Sequence, residues 1–274
     1  MPEKPEVITV ANTLKKRILN KRIKSATVYW KNIIAYPDVE EFEEKIKNQK
    51  IHAISTRGKW IVFLLDDFYL LIHLRMEGKF FFREKKDKRE KHEHVIFTFE
   101  DDKEMRYNDT RKFGKMLLIE KEQLYEREPL KSLGLEFDDK NLTVSYLKEK
   151  LKKKSTPIKT ALLDQSIIAG IGNIYDDEIL FSSRIHPLER ANEVREEKLK
   201  AIIENTDKIL KSAIKKGGTT IKSYESSEGV HGLFQQELLV HTKEICPVCK
   251  GKIEKIKVNG RGTYYCPNCQ KKGE

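Results

Sequence analysis

The chain has 274 residues, of which 38% are hydrophobic and 35% charged. That balance excludes a disordered chain and leaves room for two domains and a small appendage. The longest apolar runs, Trp60–Leu65 and Leu70–Leu74, are too short to cross a bilayer. Glu3 and Glu6 stand where a secretion signal would carry basic residues, so a cytoplasmic protein without membrane contact is expected. The net charge of +11 suits a polyanion, nucleic acid first, and suits a solvated surface equally well.

In chain order, Val7, Val10, Ala11, Leu14 and Ile18 recur at helical spacing behind Pro5, which predicts a helix over residues 5–20. Between about residues 21 and 120, short apolar runs alternate with polar turns. They include Ile61–Leu65, Tyr69–Ile72, Lys79–Phe82, His94–Phe99 and Lys115–Ile119, and they predict an antiparallel β-sandwich. Glu84–Glu93 is a charge run and reads as an exposed loop. Residues 120–139 read as a connector. Helices follow, marked by Val144, Leu147 and Leu151, by Ile158, Ala161, Leu162 and Gln165, and by Ile174–Ser182. A long one running from Leu199 to Ile214 is stopped by Gly217-Gly218. Residues 219–235 are polar and glycine-bearing, which predicts a mobile loop.

All four cysteines fall in the tail, as Cys246-Pro-Val-Cys249 and Cys266-Pro-Asn-Cys269. Two such knuckles can surround one zinc ion with four thiolates. A site closed by four protein ligands is structural rather than catalytic. Between them, Val258-Asn-Gly-Arg-Gly-Thr is a tight hairpin turn. It presents Arg261 either to phosphate oxygens or simply to solvent.

The chain opens Met1-Pro2-Glu3-Lys4-Pro5-Glu6. Removal of Met1 would leave the secondary amine of Pro2 as the first group. An α-amine titrates near ~7.7–8, far below lysine, so much of it is free at neutral pH. Attack on a sugar C1′ would give an iminium. One neighbouring carboxyl can donate a proton to the ring oxygen while the other steadies the cation. By itself the pattern is equally that of an ordinary helix start with capping acids.

Further motifs accompany it: Arg57-Gly58-Lys59, His73-Leu-Arg-Met76-Glu-Gly78 and Asn108-Asp-Thr-Arg111-Lys-Phe113-Gly114. Later come Leu163-Asp-Gln165, Gly170-Ile-Gly-Asn173-Ile-Tyr175, Asp177-Glu178, Gly217-Gly-Thr-Thr220 and Asn259-Gly-Arg261-Gly-Thr263. Together with Pro2–Val7, in this order and over the whole chain, the set resembles the formamidopyrimidine-DNA glycosylase and endonuclease VIII family. The resemblance implies an α+β chain. Residues 1–135 would form a catalytic antiparallel β-sandwich with an N-terminal helix. Residues 140–220 would form a helix–two-turns–helix domain, and residues 236–274 a zinc finger binding one Zn2+ through Cys246, Cys249, Cys266 and Cys269. It also implies a monomer that holds double-stranded DNA in a cleft with the damaged base flipped out. The activity implied is that of a bacterial, nucleoid-associated glycosylase and AP lyase for oxidised purines, cleaving by β,δ-elimination. Pro2, Glu3, Lys59 and Arg261 would be the catalytic residues, with Pro2 the nucleophile, Glu3 the general acid, and Lys59 a contact to the damaged nucleotide. Lys159, Asn173, Arg261 and His92 would contact DNA. Met76, Arg111 and Phe113 would fill the gap left by the flipped base. Glu6 and Glu178 would be supporting acids near the lesion, and Tyr224 could cap the flipped base.

Two positions depart from the family pattern. Lys4 replaces a usual leucine, where it could depress the Pro2 amine or decorate the surface. Asp176 replaces a usual alanine. Two rival readings are action on oxidised pyrimidines, as in endonuclease VIII, and a catalytically silent DNA-binding protein. Pro2, Glu3 and Lys59 together speak against silence, because binding alone needs none of them.

Overall fold

The computed structural model describes residues 1–219 and 232–273. It resolves into two compact units, Met1–Lys131 with the segment that begins at Thr219, and Ser132–Gly218 with the chain from Leu233 onward. Residues 220–231, and with them Tyr224, lie outside the described residues.

The first unit opens with α1 (Lys4–Ile18), started by Pro5 in its first turn and burying Val7, Val10, Ala11, Leu14 and Ile18 on one face. Two sheets follow. The four-stranded one contains β1 (Ile23–Val28), β6 (Lys79–Glu84), β7 (Glu93–Phe99) and β8 (Lys103–Asn108), in the order β1-β7-β8-β6. The five-stranded one contains β2 (Ile34–Tyr36), β3 (Ala53–Arg57), β4 (Trp60–Leu64), β5 (Phe68–His73) and β9 (Lys115–Glu120), in the order β2-β9-β5-β4-β3. Inward residues of both sheets and the apolar face of α1 share one core, with Phe42 of the short α2 (Val39–Lys45) among them. One correction concerns strand direction. The sandwich is antiparallel except that β2 runs parallel to β9. β2 has only three residues and comes just before α2, too little sequence to carry a period of its own.

The second unit holds α3 (Val144–Leu151), α4 (Ile158–Leu162), α5 (Asn173–Ser182) and α6 (Glu196–Lys215) around a separate apolar core. α6 stops at Gly217 and Gly218, both at positive φ. Their amides close back on Ile214 and Ala213 carbonyls at 3.1 and 2.8 Å. α4 ends before Gln165. That side chain instead spans the following turn, bonding the Leu163 and Ile171 carbonyls and the Gly170 amide. The hairpin β10 (Glu254–Val258) and β11 (Arg261–Tyr265) turns through Asn259 and Gly260, both at positive φ.

Candidate active site

Strand register gathers the motif loops of the first unit at one end of the sandwich. Arg57 pairs with Trp60, Trp60 with His73, and His73 with Lys115. The turn carrying Lys59, the loop carrying Met76 and the loop carrying Arg111 and Phe113 therefore leave the five-stranded sheet at the same edge. In the other sheet, Asn108 at the end of β8 faces both Lys79 and Glu93, which brings His92 to that edge too.

The N-terminus is fastened to the same end. The Lys4 Nζ donates to the Thr56 hydroxyl at 3.0 Å and its carbonyl at 3.4 Å. Lys4 is buried, so it is not surface decoration; it anchors the chain start on β3. Glu6 is buried as well. One of its carboxylate oxygens accepts the Glu3 amide at 2.9 Å, and the other accepts the Thr219 amide at 2.8 Å and hydroxyl at 3.2 Å. Pro2 and Glu3 are thereby held in place with Glu3 only 3% exposed. In the intact chain the terminal amine is that of Met1, next to Pro2, and burial holds it below its ordinary range. Glu3 and Glu6 oppose that shift, and Lys59 and Arg111 reinforce it. Lys59 is buried beside the tight turn at Gly58, whose φ is 53°. A less protonated amine next to two carboxyls and an ammonium can add to an electrophilic carbon and exchange a proton with the leaving atoms.

The two probing loops close around one residue. Tyr107 is wholly buried, and a Cβ added to Gly114 would meet its hydroxyl at 1.8 Å, one added to Gly78 at 2.3 Å. Only glycine lets both loops approach that ring. Asp109 organises the second loop. Its carboxylate accepts the Arg111 amide at 3.0 Å and the Gly114 amide at 2.8 Å, and Thr110 bonds Glu77 across to the first loop. Each tip contains a non-glycine residue at positive φ, Arg75 and Lys112, a local strain typical of working loops. Met76 and Phe113 are consequently 36% and 50% exposed, and the Arg111 guanidinium lies 4.8 Å from the Phe113 ring centroid. The two histidines sort themselves out. His94 is buried on the Asp109 carbonyl at 3.0 Å, whereas His92 is half-buried at the loop edge. His73 accepts the Arg75 amide at 3.0 Å. Burial, then Arg75 and Lys59, pull it down to about 3, so it is a neutral structural acceptor.

In the second unit, Asn173 opens α5 and its side-chain amide donates to the Gly262 carbonyl at 2.9 Å. Asn259 at the hairpin turn donates to Thr160 at 2.9 Å, and the Tyr264 amide donates to Asp177 at 3.2 Å. These bonds fix the hairpin beside the start of α5 and leave Arg261 exposed. The expectation for Lys159 is corrected. Its ammonium is fully buried, 2.6 Å from Asp177 and 3.5 Å from Asp176, and it donates to the Asn173 carbonyl at 3.1 Å. It could reach a phosphate only by abandoning buried carboxylates, so it positions Asn173 instead. Asp176, the departure from the family pattern, is the second carboxylate of this buried pair. Glu178 is a buried carboxylate. It accepts the amides of Leu239, Val240 and His241 at 2.8–3.0 Å and so holds the approach to the finger. Burial pushes its carboxyl upward despite those three bonds.

The four cysteine sulfurs lie within 4.8 Å of one another, with neighbouring pairs at 3.4 and 3.8 Å. Tetrahedral ligands at ordinary zinc–sulfur length sit about 3.8 Å apart, so the four sulfurs fit one Zn2+. Burial pushes the Cys266 thiol up to about 12 while the Gly251 amide draws Cys249 down to about 6. A dication is the charge that lets all four be thiolates together.

Several residues that build the site escaped the sequence reading: Thr56, Tyr107 and His241, whose ring nitrogen is 2.6 Å from Asp177. Tyr107 sits in an ordinary strand and His241 in a polar tail. Only the glycines that frame Tyr107 hinted at something large between them.

Residues 1–116 match the formamidopyrimidine-DNA glycosylase N-terminal domain, residues 133–225 its H2TH domain, and residues 243–272 the zinc finger found in FPG and IleRS. A formamidopyrimidine-DNA glycosylase of Oceanobacillus iheyensis is 46% identical over 274 residues, covering 98% of each chain. One of Bacillus subtilis is 43% identical, covering 99% of this chain and all of its own. Among solved structures, the Lactococcus lactis Fpg bound to DNA with an abasic site superposes with a TM-score of 0.92 at 38% identity. It covers 98% of this chain and 100% of its own. A MutM bound to DNA containing carbocyclic 8-oxo-G gives 0.92 at 39% identity, covering 99% and 100%. Three domains in order and relatives alike over its full length place the chain in the formamidopyrimidine-DNA glycosylase family, as a DNA-repair glycosylase and AP lyase with a four-cysteine zinc finger.

Proposed function

We propose that the chain works through Pro2, exposed as the terminal amine once Met1 is removed. Its lone pair attacks C1′ of the damaged nucleotide, and the bond to the base breaks with its electron pair leaving on the base. Glu3 donates a proton to the ring oxygen, opening the sugar to an iminium. Loss of a C2′ proton then expels the 3′ phosphate, and a second elimination expels the 5′ phosphate. Lys59 binds the damaged nucleotide, Asn173 and Arg261 hold flanking phosphates, and Met76, Arg111 and Phe113 occupy the vacated stack. One observation carries this reading: the chain start, with Pro2 buried beside Glu3 and braced by Glu6 and Lys4, lies at the end of the sandwich where the turn of Lys59 and the probing loops meet. Glu6 supports it by gripping the Glu3 amide rather than by touching substrate.

The substrate is read as oxidised purine opposite cytosine. Arg111, exposed on its loop, can present its donors to the acceptor edge of an orphaned cytosine. Fapy-dG and 8-oxo-G occur in the DNA bound to solved relatives. Duplex DNA as substrate makes the protein nucleoid-associated.

The test is borohydride trapping on a duplex with 8-oxoguanine opposite cytosine. Retained Met1 abolishes the crosslink and Pro2→Gly slows it. Glu3→Gln keeps binding and loses about 10²-fold or more in excision. Crosslinking at the parent rate in both N-terminal variants removes Pro2 from the mechanism. Faster removal of thymine glycol than of 8-oxoguanine moves the assignment to oxidised pyrimidines, and equal excision opposite C and A removes the role of Arg111.

A further inference from the structure

Strands β6 and β7 both pair antiparallel with β8, which lies between them. Glu84 sits opposite Lys103 at one end of β8 and Glu93 opposite Asn108 at the other, so residues 85–92 must return along the length of β8. Met105 and Tyr107 of β8 point into the core, and Arg106 points to the opposite face, under the returning segment. Arg106 is only 2% exposed and directs its donors at that segment. It bonds the Asp87 carbonyl at 2.8 Å, the Lys88 carbonyl at 3.2 Å, the Glu84 carbonyl at 3.4 Å and the Glu93 carboxylate at 3.0 Å, with Glu104 at 2.8 Å on its other side. A charge run that was only a solvated loop would not engage a buried guanidinium.

Two of the run's four acids are spent inside it, and a third, Glu90, lies 3.9 Å from Arg83. Asp87 accepts the Glu84 amide at 2.9 Å, and Glu93 accepts the Glu90 amide at 2.8 Å. Arg89 stacks 4.2 Å from the Tyr29 ring centroid and bonds the Glu93 carbonyl at 3.1 Å. Lys86, Lys88 and Lys91 are exposed and make no ion pair among the described residues. The segment ends at His92, whose carbonyl accepts the Asp109 amide at 3.0 Å, joining it to the loop of Arg111 and Phe113. The shielded Nδ1 of His92 has no partner among the described residues.

We propose that residues 85–92 form an ordered phosphate-binding strip, taking the backbone of duplex DNA beside the base probed by Arg111. Arg106 is its positioning residue. The inference rests on Arg111 facing DNA.

The full chain is titrated against undamaged duplex DNA of about 20 base pairs over a salt series, since each phosphate contact contributes about 0.9 to the logarithmic salt slope. The variant Lys86→Gln, Lys88→Gln, Lys91→Gln is expected to lose between about 0.9 and about 2.7 of that slope. Its single-turnover nicking at saturating lesion duplex should stay at the parent rate. A variant with the same charge change on α6, Lys200→Gln, Lys208→Gln, Lys211→Gln, is expected to keep the parent slope. An unchanged slope in the loop variant overturns the proposal, as does an equal loss in the α6 variant, which would show bulk charge alone. A parent that binds with the expected slope difference yet fails to nick leaves the strip standing and refutes the catalytic reading instead.

Discussion

Individual cations in this chain serve different ends according to burial. Lys4 and Lys159 are inside and work as hydrogen-bonded braces, while Arg111 and Arg261 stay exposed. His73 gives a measurable consequence of the same principle. Its folded-state pKa is depressed to about 3 from an ordinary 6.5, so below pH 6.5 the unfolded chain binds a proton that the folded one refuses. Stability is therefore flat above about pH 6.5 and falls with acidification until about pH 3, by about 1.4 kcal/mol per pH unit. Urea unfolding should show the parent losing about 2 kcal/mol between pH 6.5 and pH 5 through this group, a loss that His73→Asn escapes. Equal slopes in parent and variant would mean that His73 titrates normally.

At the scale of elements, the loops are held by contacts that sequence period does not encode. Gly114→Ala would drive a methyl into the Tyr107 hydroxyl. The cost should be about 1–3 kcal/mol, with slower lesion capture as the loop shifts. Adding Tyr107→Phe should recover part of it, and a double-mutant cycle without coupling would place the strain elsewhere. In the second unit, Glu178 gathers three amides that no helix or sheet satisfies. Glu178→Gln replaces an acceptor with a donor facing one of them. It should cost about 1–3 kcal/mol in denaturant unfolding. A variant as stable as the parent would show that water can take over those amides.

At the scale of the whole molecule, the two units have separate cores, and all the cysteines lie in the second. The finger's cluster is small, Val240, Ile253 and the cysteines themselves packed on Phe181 of α5. Its hairpin should depend on metal. One zinc per chain is expected by elemental analysis. Cys249→Ser or strong chelation should abolish DNA binding while the sandwich retains its own unfolding transition. Loss of both transitions together would show that zinc governs the whole chain.

Periodic and spaced features were legible in the sequence. The apolar face of α1, the strand runs, the glycine stop of α6 and the paired cysteines each express a local rule, helical or extended repeat, left-handed φ, ligand spacing, that needs no distant partner. The motif residues at the chain start, at Lys59 and at Arg261 were legible through resemblance. Tertiary structure alone decided what faces what. That Lys159 is caged by Asp176 and Asp177, that Glu178 serves backbone amides, and that Tyr107 is wedged between Gly78 and Gly114 depend on elements far apart in sequence. Whether a charged side chain meets solvent or a buried partner is set by that packing, because desolvation is tolerated only where a counter-charge or hydrogen bond waits. The charge run at Glu84–Glu93 shows the same division. Its composition marked an exposed loop, and only the strand order put Arg106 beneath it.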